Sequence, residues 1–298
     1  MRQLACPIGA KNQMRIGAYF VVPLYEGEIL RDGGVTFGAI PKNQWTKLAT
    51  PDVQNLIPMG LCSFLIQGNG VNILVDTGVG DKLGHEAETK DGIRRRNTLE
   101  ELLAQVDITF NDIDVVILTH LHFAAAGGLT KVNEEGALEP AFPKARIVIQ
   151  KDEWEQGIHT NLRTRRLYNK ENYEALLWHQ QLEMIEGDVQ LFPGLWARLT
   201  GGHTEHHQIV QIDSEDEGAV FFGDLVPSTN HIPLNVISSL DSFPMTTMDK
   251  KAEWLNVCIK NHWVAFLSHD ATAAAAQVSG SLRGPEELTI DTLMEHPA

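Results

Sequence analysis

The stretch from Asp114 to Gly128 constrains this chain more than any other. An apolar run, Val115-Val116-Ile117-Leu118, leads straight into Thr119-His120-Leu121-His122. Four consecutive apolar residues, three of them β-branched, suit a strand buried on both faces. Two histidines at i, i+2 just past the strand's C-terminal end are placed to grip one metal ion. Phe123-Ala124-Ala125-Ala126-Gly127-Gly128 follows, with three alanines where further ligands are expected.

The rest of the chain alternates β-rich and mixed segments. Tyr19 to Leu24 and Val35 to Ile40 read as short strands. Leu61 to Gln67 and Val71 to Val75 flank Gly68-Asn69-Gly70, a hairpin turn. The polar segment Asp81 to Arg96 reads as a loop, and Thr98 to Val106 as a helix capped by Asn97. Ala145 to Gln150 is a further strand, and Lys151 to Gln156 and Asn172 to Gln181 have helical spacing. Between them the basic run Arg163-Thr164-Arg165-Arg166 reads as solvated helix surface. Strands are expected at Val189 to Phe192, Trp196 to Thr200, Gln208 to Ile212 and Ala219 to Phe222. An amphipathic helix at Asp249 to Lys260 precedes a last buried strand, Val264 to Leu267. Periodicity by itself supports an α/β class with many strands. With no linker or low-complexity segment, residues 1–298 read as one domain with an N-terminal β-rich extension over about residues 1–58.

Composition narrows the function classes. The net charge of −15 lacks the basic stripe that nucleic acid requires. It also disfavours anionic substrates unless metal charge dominates locally. No apolar run approaches the roughly 20 residues of a spanning helix. The N-terminus has no apolar signal segment, so a cytoplasmic location is expected, with a removed periplasmic signal as the alternative. Cys6, Cys62 and Cys258 form neither a disulfide framework nor a metal clamp.

Four further motifs follow in order: Asp76-Thr77-Gly78, Gly202-His203-Thr204, Phe222-Gly223-Asp224 and Ser268-His269-Asp270. Together with His120-Leu121-His122 they resemble the metallo-β-lactamase superfamily, over roughly residues 60 to 275. The resemblance implies a four-layer αββα sandwich. It implies a first metal site of His120, His122 and His203 with Asp224, which bridges to a second site completed by His269. Imidazoles and a carboxylate suit zinc or a similar divalent ion such as Mn, Fe or Co. The superfamily's His-x-His-x-Asp-His motif is broken here, because Ala124 and Ala125 stand where Asp and His are usual. Site two therefore keeps two ligands, and one firmly held metal is expected. Either a dinuclear hydrolase has been disabled at this pair, or the chain uses one metal for other chemistry or for none.

Other residues have plainer readings. His85, His159, His179, His262 and His296 read as surface or helix residues. Asp76 and Asp270 are candidates for orienting ligand groups, and His206 and His207 are ambiguous. The segment Gly223 to Leu234 is similar to the branch holding lactonases and methyl-parathion-type hydrolases. Phe20, Tyr25 and Phe37 resemble residues that cap an apolar pocket in that branch, with core packing as the alternative. The expected function is a metal-dependent hydrolase of lactones or esters, with phosphotriesters next and a small-molecule substrate as partner. Asp224 and His231 are its candidate catalytic residues. The rivals are a mononuclear elimination or isomerisation enzyme, with Glu205 or His231 as base, and a silent binding protein. A homodimer is left open.

Overall fold

A computed structural model describes residues 12–296 except 83, 85–87, 90, 283 and 285–286. Cys6 and His85 lie outside the described residues. Two sheets face each other. The first is built from β1 (Met14–Ile16), β2 (Tyr19–Asp32), β3 (Leu56–Gly68), β4 (Val71–Val75), β5 (Ile93–Arg95) and β6 (Val115–Ile117). A separate ribbon pairs β7 (Thr130–Val132) with β8 (Leu138–Pro140). With β9 (Arg146–Gln150) and β10 (Leu182–Ile185), the first sheet runs β1-β2-β3-β4-β6-β9-β10, and β5 pairs with β2. The second runs in chain order through β11 (Val189–Phe192), β12 (Leu195–Leu199), β13 (Gln208–Ser214), β14 (Glu217–Phe221), β15 (Val264–Phe266), β16 (Ala273–Gly280) and β17 (Leu288–Glu295).

Side-chain alternation on the central strands explains the layering. In β6, Val115 and Ile117 enter the core between the sheets, while Val116 faces the outer core that also takes Leu102, Leu103 and Trp154. In β14 and just beyond it, Ala219 and Phe221 point inward. Val220 and Phe222 join Leu255 and Cys258 of helix Pro244–Asn261 on the opposite side. Each central strand is thus buried on both faces, which is why its sequence is an apolar run without alternation. Helices outside and two sheets inside make the αββα sandwich. At its centre Phe64 meets Phe221 and Phe266 edge-on at 5.3 Å, and those two rings stack at 4.6 Å.

Several local expectations are corrected. Val35 to Ile40 is not a strand: Gly33–Phe37 is a short helix, because the Asp32 carboxylate accepts a hydrogen bond from Val35 N and caps it. The cap of helix Leu99–Ala104 is Thr98, reciprocally bonded with Glu101, not Asn97. The segment Asp81 to Arg96 includes β5, paired with β2. Asn172 to Gln181 forms only short 3₁₀ turns, interrupted at Tyr173, whose buried hydroxyl donates to Gly157 O. β15 is not the last buried strand, since β16 follows and is largely buried. Among the described residues no helix is long and apolar enough to cross a membrane. Cys62 and Cys258 are buried free thiols.

Candidate metal centre

The sheet ends bring the histidines together. His120 and His122 lie on the turn after β6. His203 lies in the loop between β12 and β13, Asp224 in a 3₁₀ turn after β14, and His269 just after β15. Rigid strands therefore deliver each group to one edge of the sandwich from separate parts of the chain. The ligand nitrogens of His120, His122 and His203 lie within 4.8 Å of one another, and all three residues are buried. Asp224 spans the group. Its Oδ2 is 3.1 Å from His203 Nε2 and 3.9 Å from His120 Nε2, and its Oδ1 is 3.0 Å from His269 Nε2. Gly223, at φ +51°, permits that turn, and a Cβ there would lie 2.9 Å from His207 Nε2.

Partners outside the group aim the rings. Thr119 Oγ1 sits 2.9 Å from His120 Nδ1 and also donates to the Asp76 carboxylate. His269 Nδ1 bonds Gly60 O at 2.7 Å, a close approach that suits glycine because a Cβ there would lie 2.1 Å from Asp270 O. Asp241 Oδ1 lies 2.7 Å from His203 Nδ1. Glu153, fully buried, accepts from Leu121 N and from Thr204 Oγ1, tying the His120–His122 turn to the His203 loop. His207 accepts from Asp224 N, and Asp270 accepts from Thr229 and Thr272. Asp76, acting through Thr119, and His207 thus touch the groups that hold His120 and Asp224, whereas the Asp270 carboxylate ties Thr229 to residues 272 and 273.

Electrostatics favour a cation here. Burial and the neighbouring imidazole of His122 hold the His120 ring well below its usual pKa, and burial and His203 do the same to His122. Burial alone would lower His203, but Asp224 and Asp241 together hold it up at about 9. Burial opposes ionisation of Asp224, yet His203 and His269 keep it well below the usual carboxylate range. His120 Nε2 is buried with no hydrogen-bond partner, and His122 presents its Nδ1 to the centre, 2.9 Å from His203 Nε2. An orphaned nitrogen costs on the order of 1–3 kcal/mol, and a divalent ion bound at His120 Nε2 removes that cost. The residues present therefore fit one metal. Beside that set Asp224 Oδ1 and His269 Nε2 face each other at 3.0 Å, and the side chains of Ala124 and Ala125 offer no donor.

A cavity of about 780 Å³ opens over these groups, with His122, His203, Asp224 and His269 in its walls. Lys82, Asp91, Arg31, Arg165 and Arg166 also line it; the arginines of the basic run are exposed, as expected, but lie in turns rather than on a helix, and two of them border the cavity. Phe20, Tyr25 and Phe37 are not among its walls: Tyr25 and Phe37 are core residues, and residues 29–32, 35 and 36 line the cavity instead. His231 lines it, but Ser228 Oγ contacts its Nδ1 and Thr36 O its Nε2, which leaves no nitrogen for a substrate proton. Glu205 is exposed and outside the cavity walls. His296 is not a surface residue; it stacks on Tyr25 at 3.8 Å. Asp241, Glu153 and Arg31 went unread in the sequence. No local motif marks Asp241 or Arg31, and a charged residue beside Trp154 was the one signal for Glu153.

Residues 62–269 match the family model of the metallo-β-lactamase superfamily. The chain belongs to that superfamily. The N-acyl homoserine lactonase AiiA of Bacillus thuringiensis subsp. kurstaki is 27% identical over 206 residues, covering 62% of this chain and 75% of that one. A lactonase of Bacillus cereus is 28% identical over 176 residues, 56% of this chain and 63% of its own. Among solved structures, a probable metal-dependent hydrolase from Staphylococcus aureus superposes with TM-score 0.86 at 29% identity, covering 96% of this chain and all of that one. AidC, a dizinc quorum-quenching lactonase solved with its product, shares the fold at TM-score 0.75 and 19% identity, over 96% and 97% of the two chains. Superfamily membership and these relatives make the protein a hydrolase.

Proposed function

We propose that this superfamily member hydrolyses lactones or related carboxylic esters, with phosphotriesters as the next substrate class. The observation that carries the reading is the buried His120, His122 and His203 set at the cavity wall, with Asp224 reaching from it to His269. The lactonase relatives support the substrate class. His120, His122, His203 and Asp224 would hold one divalent ion, zinc being the first candidate, and Asp224 with His269 would hold a second weakly. When bound, the ion supplies Lewis acidity toward the ester carbonyl and lowers the pKa of water. The chain's own part is orientation. Thr119 and Asp241 fix the rings of His120 and His203, and Ile29, Met59, Val79 and Leu240 give the cavity wall an apolar part. Elimination or isomerisation has less support, because His231 has both nitrogens engaged and Glu205 stands outside the cavity. The buried free thiols of Cys62 and Cys258 suit a reducing, cytoplasmic setting.

Elemental analysis together with turnover of N-hexanoyl homoserine lactone, p-nitrophenyl esters and paraoxon tests this reading. About one transition metal per chain with measurable lactone or ester cleavage is expected. Two firmly held metals would overturn the ligand assignment, and full occupancy without cleavage of any of the three classes would overturn the hydrolytic reading.

A further inference from the structure

Three guanidinium groups in the cavity have no task in the reading above. Arg31, near the end of β2, is half-buried in the cavity wall, with Cζ 5.1 Å from the centroid of the Phe123 ring. Phe123 directly follows His122, so this cation sits beside the metal-site turn. Arg165 and Arg166, both exposed, line the same cavity from the loop after helix Lys151–Ile158. That loop is anchored, since Arg163 Nη2 donates to Ser239 O at 2.9 Å. Among the described residues, none of these three guanidinium groups makes a hydrogen bond or a closed ion pair.

The other charged groups of the cavity are mostly engaged. Lys82 Nζ donates to the carbonyls of Gly127 and Thr130, and Glu171 acts electrostatically on Lys82. The Asp32 carboxylate accepts from Val35 N and Asn55 Nδ2, and Asp224 is held among imidazoles. Asp91 is felt by Arg31 at a distance and leaves its fork of donors unfilled. A half-buried guanidinium without hydrogen bonds is costly, and its planar fork matches a carboxylate bidentately. In a chain of net charge −15, cations concentrate where the general field would repel an anion. Local recognition of an anion accounts for that placement.

We propose that Arg31, with Arg165 and Arg166 beside it, forms a subsite for a carboxylate carried by the substrate. The preferred substrates would then be half-esters or lactones bearing a free carboxylate, not neutral acyl chains. The identity of the reacting bond rests on the hydrolytic reading, whereas the subsite is tested by binding alone. In cleavage of a half-ester, the water oxygen bonds to the acyl carbon, the acyl C–O bond breaks, one water proton passes to the leaving alkoxide and the other is released to solvent. The products are an alcohol and a dicarboxylate.

Acids of equal chain length isolate the subsite: glutarate against valerate, and adipate against hexanoate. Both members of a pair offer one carboxylate to the metal centre, and only the diacid offers a second. Calorimetry on the zinc-loaded protein should show the diacid bound at least tenfold tighter in one or both pairs, with the advantage shrinking as salt rises. Arg31→Gln should remove most of that advantage and leave the monoacid's affinity within about twofold. Arg31→Lys should keep part of it, because charge remains while the fork is lost. The variants' melting temperatures check that the fold is intact. Equal or undetectable binding in every pair overturns the subsite, as does an advantage that survives in R31Q/R165Q/R166Q. Diacid preference without cleavage of any ester would count against the hydrolytic reading and leave the subsite standing. Lactone turnover without diacid preference would do the reverse.

Discussion

Asp241 Oδ1 lies 2.7 Å from His203 Nδ1, although the two residues are 38 positions apart. The contact settles which nitrogen of His203 faces the centre, because a proton held on Nδ1 leaves the lone pair of Nε2 for a metal ion, on the side where Asp224 Oδ2 lies 3.1 Å away. Both partners are almost fully buried, so the carboxylate acts in a medium that screens it poorly.

Asp241→Asn should therefore weaken metal binding about 10–100-fold while the ligand set stays complete. Competition with a chromogenic chelator measures this. An affinity equal to that of the parent would show that Asp241 does not orient His203.

Rebuilding the second position is a direct test of the altered motif. Asp224 Oδ1 and His269 Nε2 already face each other at 3.0 Å, so Ala124→Asp with Ala125→His should raise bound metal from about one toward two per chain. Lactone or ester turnover should rise at least about a hundredfold, the lower end of what one acid–base group contributes. Ala124→Asp alone should recover less, since a histidine is still missing. A double variant that takes up two metals yet cleaves no ester, lactone or phosphotriester would remove the hydrolytic assignment.

The His296 ring, stacked on Tyr25 with Nε2 bonded to Asp270 O, has its pKa lowered to about 4, chiefly by burial. Between its ordinary value near 6.5 and about 4, the unfolded chain takes up a proton there that the folded chain refuses. Stability from this residue is therefore complete above about pH 6.5 and declines as pH falls toward 4. Glu26 and Asp76, raised by burial to about 7, act in the opposite sense, so the total curve is not diagnostic. The difference between the parent and His296→Gln is. Urea denaturation should show the parent's advantage shrinking by roughly 1–3 kcal/mol between pH 7 and 4.5. A pH-independent difference would refute the assignment.

The three-ring cluster between the sheets should dominate core stability. Phe221 is 1% exposed, stacked on Phe266 and edge-on to Phe64. Phe221→Ala should cost about 3–5 kcal/mol in chemical denaturation. A loss under about 1 kcal/mol would mean that the sheets repack around the gap.

Local chemistry made much of this legible. The Val115–Leu118 run had to be a strand covered on both faces, and the Gly68-Asn69-Gly70 turn had to join two antiparallel strands. The histidine motifs marked one edge of the sandwich, because ligand type and strand-end placement are written in adjacent residues. Where a neighbour's side chain decided the outcome, sequence pattern misled. Val35 to Ile40 carries apolar spacing for a strand, yet the Asp32 cap turns Gly33–Phe37 into a helix.

What the sequence determined by itself was the layered α/β architecture and the histidines and carboxylate that gather at one sheet edge, where Ala124 and Ala125 offer no side-chain donor. Only the tertiary structure decided which groups orient that set and what surrounds it. Asp241, Glu153 and Arg31 approach the centre from distant segments, and the exposed Arg165 and Arg166 also border the cavity. A periodicity reports which face of an element is buried. It carries no information about which remote side chain is packed against that face, and at this site those remote contacts set the ring tautomers, the local charge and the shape of the cavity.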